Sequence, residues 1–265
     1  MIRLTLIVVV VLSAIGLVSA QNNEERNEGR REMRQEQKAA KAVAAAPAAP
    51  SASAVGEPDS FGKNAVFLGV AASGGLIITN DCSDPNLDLQ PDDKCLQVLD
   101  PTISTTQDFT DLARITIPGK SVSNIVYCIN NHTINYHFSN PGPGTAHGRL
   151  TYSPTITIES DALNDPSAID PNTNLPMNGK YTTSGNGTRA ISRTLPPGTN
   201  DSDTLSYSRA NTLGFSRTFW AGLGLSQNVI NNIYKKPMTI RLGIHISVLN
   251  VDFGNMLYTA RFLGN

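Results

Sequence analysis

An all-β fold is what this 265-residue chain predicts: an antiparallel β-sandwich of jelly-roll or immunoglobulin-like wiring with one short helix. Three observations lead there. Asn, Ser and Thr number 24, 22 and 23, and these side chains compete with helical hydrogen bonds while suiting turns and strands. Short apolar runs of period two recur along the chain. Between them stands dense punctuation, such as Ser139-Asn140-Pro141-Gly142-Pro143-Gly144 and Leu195-Pro196-Pro197-Gly198.

Residues 1–20 read as a signal peptide ahead of the fold. Arg3 supplies a minimal positive start, and the apolar run Leu4–Val18 spans 15 residues, short of the roughly 20 a bilayer-crossing helix needs. Val18-Ser19-Ala20 offers the small residues a signal peptidase reads, so the mature chain would begin at Gln21. That predicts a secreted, periplasmic or cell-surface protein that is not integral to the membrane once the signal is removed. Residues 21–58 form an arm and a linker. Glu24, Glu28, Glu32 and Glu36 alternate in register with Arg26, Arg30, Arg34 and Lys38, leaving no apolar stripe to bury, so the arm is a solvated helix or disordered. Ala39–Glu57 is rich in Ala, Pro and Ser, a semi-extended spacer. The sandwich occupies residues 59–265.

Within it, the clearest strand is Met238–Val248, where Met238, Ile240, Leu242, Ile244, Ile246 and Val248 alternate with polar residues. Met256–Leu263 repeats the pattern more weakly, and the two are expected to close as an antiparallel hairpin. Further strands are expected at Ala65–Val70, Gly75–Thr79, Ala113–Ile117, Asn124–Ile129, Thr133–Phe138, Arg149–Glu159, Arg189–Thr194, Thr204–Ser208 and Leu213–Trp220. The helix starts at a Ser226 cap, carries Val229, Ile230, Ile233 and Tyr234 on one face, and stops at Lys235-Lys236-Pro237, covering one end of the core.

Cys82 and Cys95 frame a Pro/Asp-rich loop and are expected to form a local disulfide, in keeping with export. Cys128 lies in an apolar run as a buried thiol. In the same loop Asp84, Asn86, Asp88 and Asp92 place oxygen donors at alternate positions, the donor type calcium takes. Against a calcium loop of the EF-hand kind, Leu89 stands where Gly is required and Cys95 where Glu is, and Asp-Pro-Asn is also ordinary turn chemistry. If Pro141–Gly144 turns a hairpin, His137 and His147 lie across from each other and would share a transition metal. Gly222-Leu223-Gly224 lacks the third glycine of a dinucleotide loop and reads as a tight turn.

The net charge of -1 gives no basic footprint, so nucleic acid is not an expected partner. Gly-x-Ser-x-Gly, His-Glu-x-x-His and Cys-x-x-Cys motifs are missing from the sequence. The reading that remains is a non-enzymatic surface or extracellular sandwich, a structural or binding module that self-associates or meets a protein partner through strand edges. Two alternatives stand beside it. One is an exported hydrolase of polysaccharide or ester bonds, with Asp161, Asp165 or Asp170 in its active loop. The other is an outer-membrane β-barrel, suggested by the alternation in Met238–Val248.

Overall fold

A computed structural model describes residues 66–73, 75–185 and 187–265, without the side chains of residues 207–214. The signal peptide, arm and linker expected over residues 1–58 lie outside the described residues. Thirteen strands occur among the described residues. In chain order they are β1 (Val66–Ala72), β2 (Gly75–Thr79), β3 (Asp93–Gln97), β4 (Thr105–Ile117), β5 (Ile125–Ser139), β6 (Ala146–Glu159), β7 (Ile169–Asp170), β8 (Leu175–Pro176), β9 (Lys180–Ser184), β10 (Arg189–Leu195), β11 (Asn200–Ser216), β12 (Met238–Leu249) and β13 (Val251–Gly264).

Two stacked sheets hold all but the small β7–β8 pair. The first runs β11-β5-β13-β2-β3 with β1 also on β13, and the second runs β10-β6-β12-β4 with β9 also on β6. β1 and β2 lie end to end along one flank of β13, where Ala72 pairs with Thr259 and Leu76 with Met256. β9 and β10 do the same along β6, where Ser184 pairs with Thr155 and Arg189 with Tyr152. Taken as single ribbons, these give the neighbour order β11, β5, β13, β1/β2 in one sheet and β9/β10, β6, β12, β4 in the other. That order, antiparallel throughout, is a jelly roll. β3 is an addition, parallel to β2 and reached through the loop of residues 80–92.

The core follows from the alternation. β5 buries Val126, Cys128, Asn130, His132, Ile134, Tyr136 and Phe138 against Leu150, Tyr152, Ile156 and Ile158 of β6 and Ile240, Leu242, Ile244 and Ile246 of β12. One end is closed by α1 (Arg217–Gly222) and α2 (Gln227–Lys235). α2 has the expected cap and buried face, with Val229 N–H donating to Ser226 Oγ at 3.3 Å. The strand expected over Leu213–Trp220 stops early. At Ser216 the side chain accepts from Phe219 N–H at 3.0 Å, and a helix follows that buries Trp220 against Phe215, Phe219 and Tyr181.

Two local expectations are corrected. β12 and β13 are not a hairpin: they belong to opposite sheets, joined by Asn250 in the left-handed region at φ 53°. Both turn their apolar residues inward, which is compatible with facing each other as well as with lying side by side. Likewise Pro141–Gly144 arches from β5 to β6 across the sandwich, held by Asn140 Nδ2 donating to Gly144 O at 2.7 Å and Leu195 O at 2.9 Å. His137 therefore pairs with Ser202 and Phe253, and His147 with Thr194, so the two histidines are not cross-strand neighbours. The barrel alternative also fails, because the strands form two open sheets whose shared inner side is apolar side-chain packing rather than a polar lumen. No described helix is long and apolar enough to cross a membrane.

Each interrupted ribbon has a local cause. Gly185 N–H donates to Pro154 O at 2.8 Å, so the main-chain groups of Pro154 face β9 and β10. Proline has no N–H to offer on that side, and the ladder breaks opposite it. Between β1 and β2 a side chain replaces the main chain. Ser73 N–H donates to Tyr258 O and Ser73 Oγ accepts from Tyr258 N–H, both at 2.9 Å.

Candidate functional site

Gly243 interrupts the polar face of β12, and there is no room for a side chain at that point. A Cβ would stand 2.7 Å from Phe109 O and 2.6 Å from Thr155 Oγ1. Opposite it β4 bulges: Leu242 pairs with Ala113 and Ile244 with Phe109, leaving residues 110–112 outside the ladder. Bulges re-aim side chains and bend their strand. Here the bulge turns Asp111 toward Arg241, whose guanidinium donates to Asp111 Oδ2 at 2.7 Å and lies 2.9 Å from Glu159 Oε1. Arg114 approaches the same Asp111 oxygen only to 3.9 Å.

Beside this bulge lies a cleft of about 350 Å³, lined by Ala72, Pro91, Asp92, Lys94, Leu112, Ala113, Asp111 and Arg114. It sits on the open side of the sandwich, between the end of β1, the start of β3 and edge strand β4. The disulfide Cys82–Cys95 ties the incoming loop to β3 one residue beyond Lys94. Among the described residues the side chains of Asp92 and Lys94 have no hydrogen-bond or ion-pair partner, and Arg114 has only its long contact to Asp111. The cleft thus offers two cationic donors and two carboxylates, of which Asp111 already accepts from Arg241, beside the small and apolar residues Ala72, Pro91, Leu112 and Ala113.

Of the four oxygen donors expected to bind calcium, Asp92 alone lines this cleft. Asp84 accepts from Asn86 N–H at 2.9 Å and from Asn86 Nδ2 at 2.8 Å, capping the short 3-10 turn Pro85–Leu87. Asp88 closes that turn at φ 46° and accepts from Gln90 Nε2 at 3.2 Å. Among the described residues no three His, Cys, Asp or Glu side chains gather closely enough to hold a metal. Two acids of the hydrolase alternative accept local hydrogen bonds as well. Asp165 accepts from Ser167 N–H at 2.9 Å and Ser167 Oγ at 2.7 Å, and those bonds hold its carboxyl below the usual range. Asp170 caps its turn through Asn172 N–H at 2.9 Å, and Asp161 lies in the first turn of the 3-10 segment Asp161–Asn164.

Sequence reasoning missed Lys94, Asp111, Arg114 and Arg241. Gly243 carried the available signal, since a lone glycine inside an alternating strand marks a bulge or a close approach.

Neither a family model nor a curated protein matches the chain. Among solved structures the chain is similar to several at very low identity. One is a module in complex with beta-1,4-galactotriose, 9% identical over 60% of this chain with a TM-score of 0.17; the chain spans 64% of that module's length. A Family 11 Carbohydrate-Binding Module from Clostridium thermocellum is 11% identical over 62% of this chain and 83% of its own, with a TM-score of 0.14. The native virion of Kashmir bee virus supplies a chain that is 13% identical over 83% of this one and 80% of its own, with a TM-score of 0.19.

Proposed function

We propose that this protein is an exported, non-enzymatic β-sandwich that works as a binding module, with the cleft between β1, β3 and β4 as its ligand site. The observation that carries the reading is the trio Asp92, Lys94 and Arg114, three charged side chains around one cleft with no close partner of their own. Mixed donors and an acceptor on a shallow, partly apolar surface suit a ligand with both a carboxylate and hydroxyl groups, such as an acidic oligosaccharide. Lys94 and Arg114 would take the carboxylate and Asp92 the hydroxyls. Calorimetric titration with an oligogalacturonate tests this, with the neutral galactose oligomer as control. Saturable binding of the acidic sugar, lost in Lys94→Gln with Arg114→Gln, is the expected result. Equal response to both sugars, or none to either, would sink it.

A structural-subunit reading has one observation of its own. Phe67, Leu263 and Tyr127 are opposite one another across β1, β13 and β5 on the outer face of the first sheet, where Phe67 is 50% and Tyr127 39% exposed. An apolar row of this kind fits a protein contact. Light scattering at increasing concentration separates the two readings, because only the subunit reading expects assemblies that Phe67→Ser dissolves.

A further inference from the structure

The end of the sandwich away from α1 and α2 is made of three short connections: residues 98–104 between β3 and β4, residues 140–145 between β5 and β6, and residues 196–199 between β10 and β11. Two asparagines tie them together. Asn140 Nδ2 donates to Leu195 O at 2.9 Å and to Pro196 O at 3.1 Å, and Gly198 N–H donates to Asn140 O at 2.9 Å. Asn250 N–H donates to Pro101 O, its Nδ2 donates to His147 O at 3.0 Å, and its carbonyl accepts from Ser139 N–H at 3.1 Å.

Two large aliphatic side chains project from this end: Leu99 is 81% and Ile103 63% exposed. They flank a turn whose polar groups are bonded to one another. Ile103 N–H donates to Asp100 O at 3.2 Å, and the Asp100 carboxylate accepts from Thr102 N–H at 2.9 Å and from Thr102 Oγ1 at 2.7 Å. The other two connections expose Pro141, Pro143, Pro196 and Pro197, which like Pro101 have no main-chain N–H. Gly142 N–H is taken by Asn140 Oδ1 at 3.1 Å and Thr199 N–H by Pro196 O at 3.3 Å. Apolar tips on a main chain with few unmet donors are what entry into a medium without hydrogen bonds requires. Asp100 is the one ionisable side chain in the three connections, and its bonds from Thr102, the hydroxyl first, hold its carboxyl below the usual range.

We propose that this end of the sandwich docks reversibly on a zwitterionic phospholipid bilayer, with Leu99 and Ile103 entering the boundary between headgroups and acyl chains. A bilayer moulds itself to projecting tips, whereas a protein partner would need a pocket made for them. The charge fits phosphatidylcholine: one carboxylate with no cation in the three connections meets the trimethylammonium group, and the anionic surface of phosphatidylserine repels it. Two aliphatic side chains are too little for permanent anchoring, so the contact is weak. The inference stands apart from the cleft and its ligand, since none of these residues lines the cleft.

The test puts an environment-sensitive fluorophore on Ser104→Cys in the full chain. Cys82 and Cys95 are disulfide-bonded and Cys128 is buried, so the label reports this loop alone, whatever Leu4–Val18 does. Phosphatidylcholine vesicles should shift the emission to the blue, and Leu99→Ser with Ile103→Ser should lower the partition constant about tenfold or more. Both substituted side chains are exposed, so the unfolding midpoint of that variant should match the unaltered protein. Mixing in phosphatidylserine should weaken binding, and Asp100→Asn, whose side-chain oxygen can still accept from Thr102, should remove the weakening. No shift on phosphatidylcholine would overturn the proposal, as would a shift that survives in the double serine variant or that needs phosphatidylserine. A blue shift that grows with protein concentration in the absence of vesicles would overturn it too, and would give the patch to a second copy of this chain.

Discussion

Both sheets carry a ribbon made of two strands laid end to end, yet the two interruptions have opposite consequences. Between β1 and β2 the gap is bridged by Ser73, which exchanges two hydrogen bonds with the main chain of Tyr258. The bridging groups face along the sheet, and the end of β1, the start of β3 and the β4 bulge border a charged cleft. Between β9 and β10 Gly185 N–H still meets its sheet neighbour at Pro154 O, while its carbonyl is taken from below by Asn130 reaching from β5. There the open valences point into the core, and the result is a buried cluster with His132 in it. Tyr258 serves both: its backbone holds the first gap and its phenol, through Asn130, the second. An interrupted strand becomes a surface site or an interior one according to whether the replacement bonds come only from its neighbour in the sheet or also from the opposite layer.

The largest effect should come from Tyr258→Ala, which removes packing beneath both gaps and is expected to cost about 3–5 kcal/mol in urea unfolding. Its companion Tyr258→Phe sharpens the contrast. It keeps the main-chain bonds to Ser73 and strips only the phenol from Asn130, so about 1 kcal/mol is expected, with exchange quickened at β9 and β10 but not at β1 and β2. Reduction of Cys82–Cys95 should act on the other side alone. Freeing the short loop it closes is expected to lower stability by about 3 kcal/mol and to blunt binding in the cleft while leaving amide protection of β9 and β10 as it was. The smallest effect is Ser73→Ala. It strands the Tyr258 N–H, and about 1–2 kcal/mol is expected, confined to protection of β1 and β2. Equal loss at both ribbons in any of these variants would show that the gaps are one cooperative unit.

Strand content was readable because burial alternates locally. β12 and β6 declare themselves in Met238–Val248 and Arg149–Glu159, and α2 through its Ser226 cap and its apolar face. The disulfide was readable for the same reason, being a matter of short spacing in a turn-rich loop. Sheet membership was not. An inward-facing residue looks identical whether its partner is beside it or across the core, so β5–β6 and β12–β13 passed for hairpins when each bridges the two layers. β9 was hidden because Lys180–Ser184 buries only Tyr181, and β3 because its charged and disulfide-bonded residues resemble the loop before it. Asp92 was picked out in the company of Asp84, Asn86 and Asp88; the cleft sets it beside Lys94 and residues 111–114 of β4, which only the fold brings together. His132 gave no sign at all, since an imidazole in an alternating run is equally at home in water.

Among the described residues β13 is the last strand, and in the first sheet it is flanked on both sides, by β5 and by the β1/β2 ribbon. A ribosome therefore delivers the keystone of that sheet after every strand it must join. Until residues 251–264 are made, the growing chain holds two half-sheets with facing raw edges and no way to bring them together. Pairing Val66 with Gly264 then closes a loop spanning nearly the whole described chain, the kind of long-range search that makes folding slow. Closure of the first sheet is expected to wait for residues 251–264, and until then the nascent chain depends on something else to keep those edges from finding other chains.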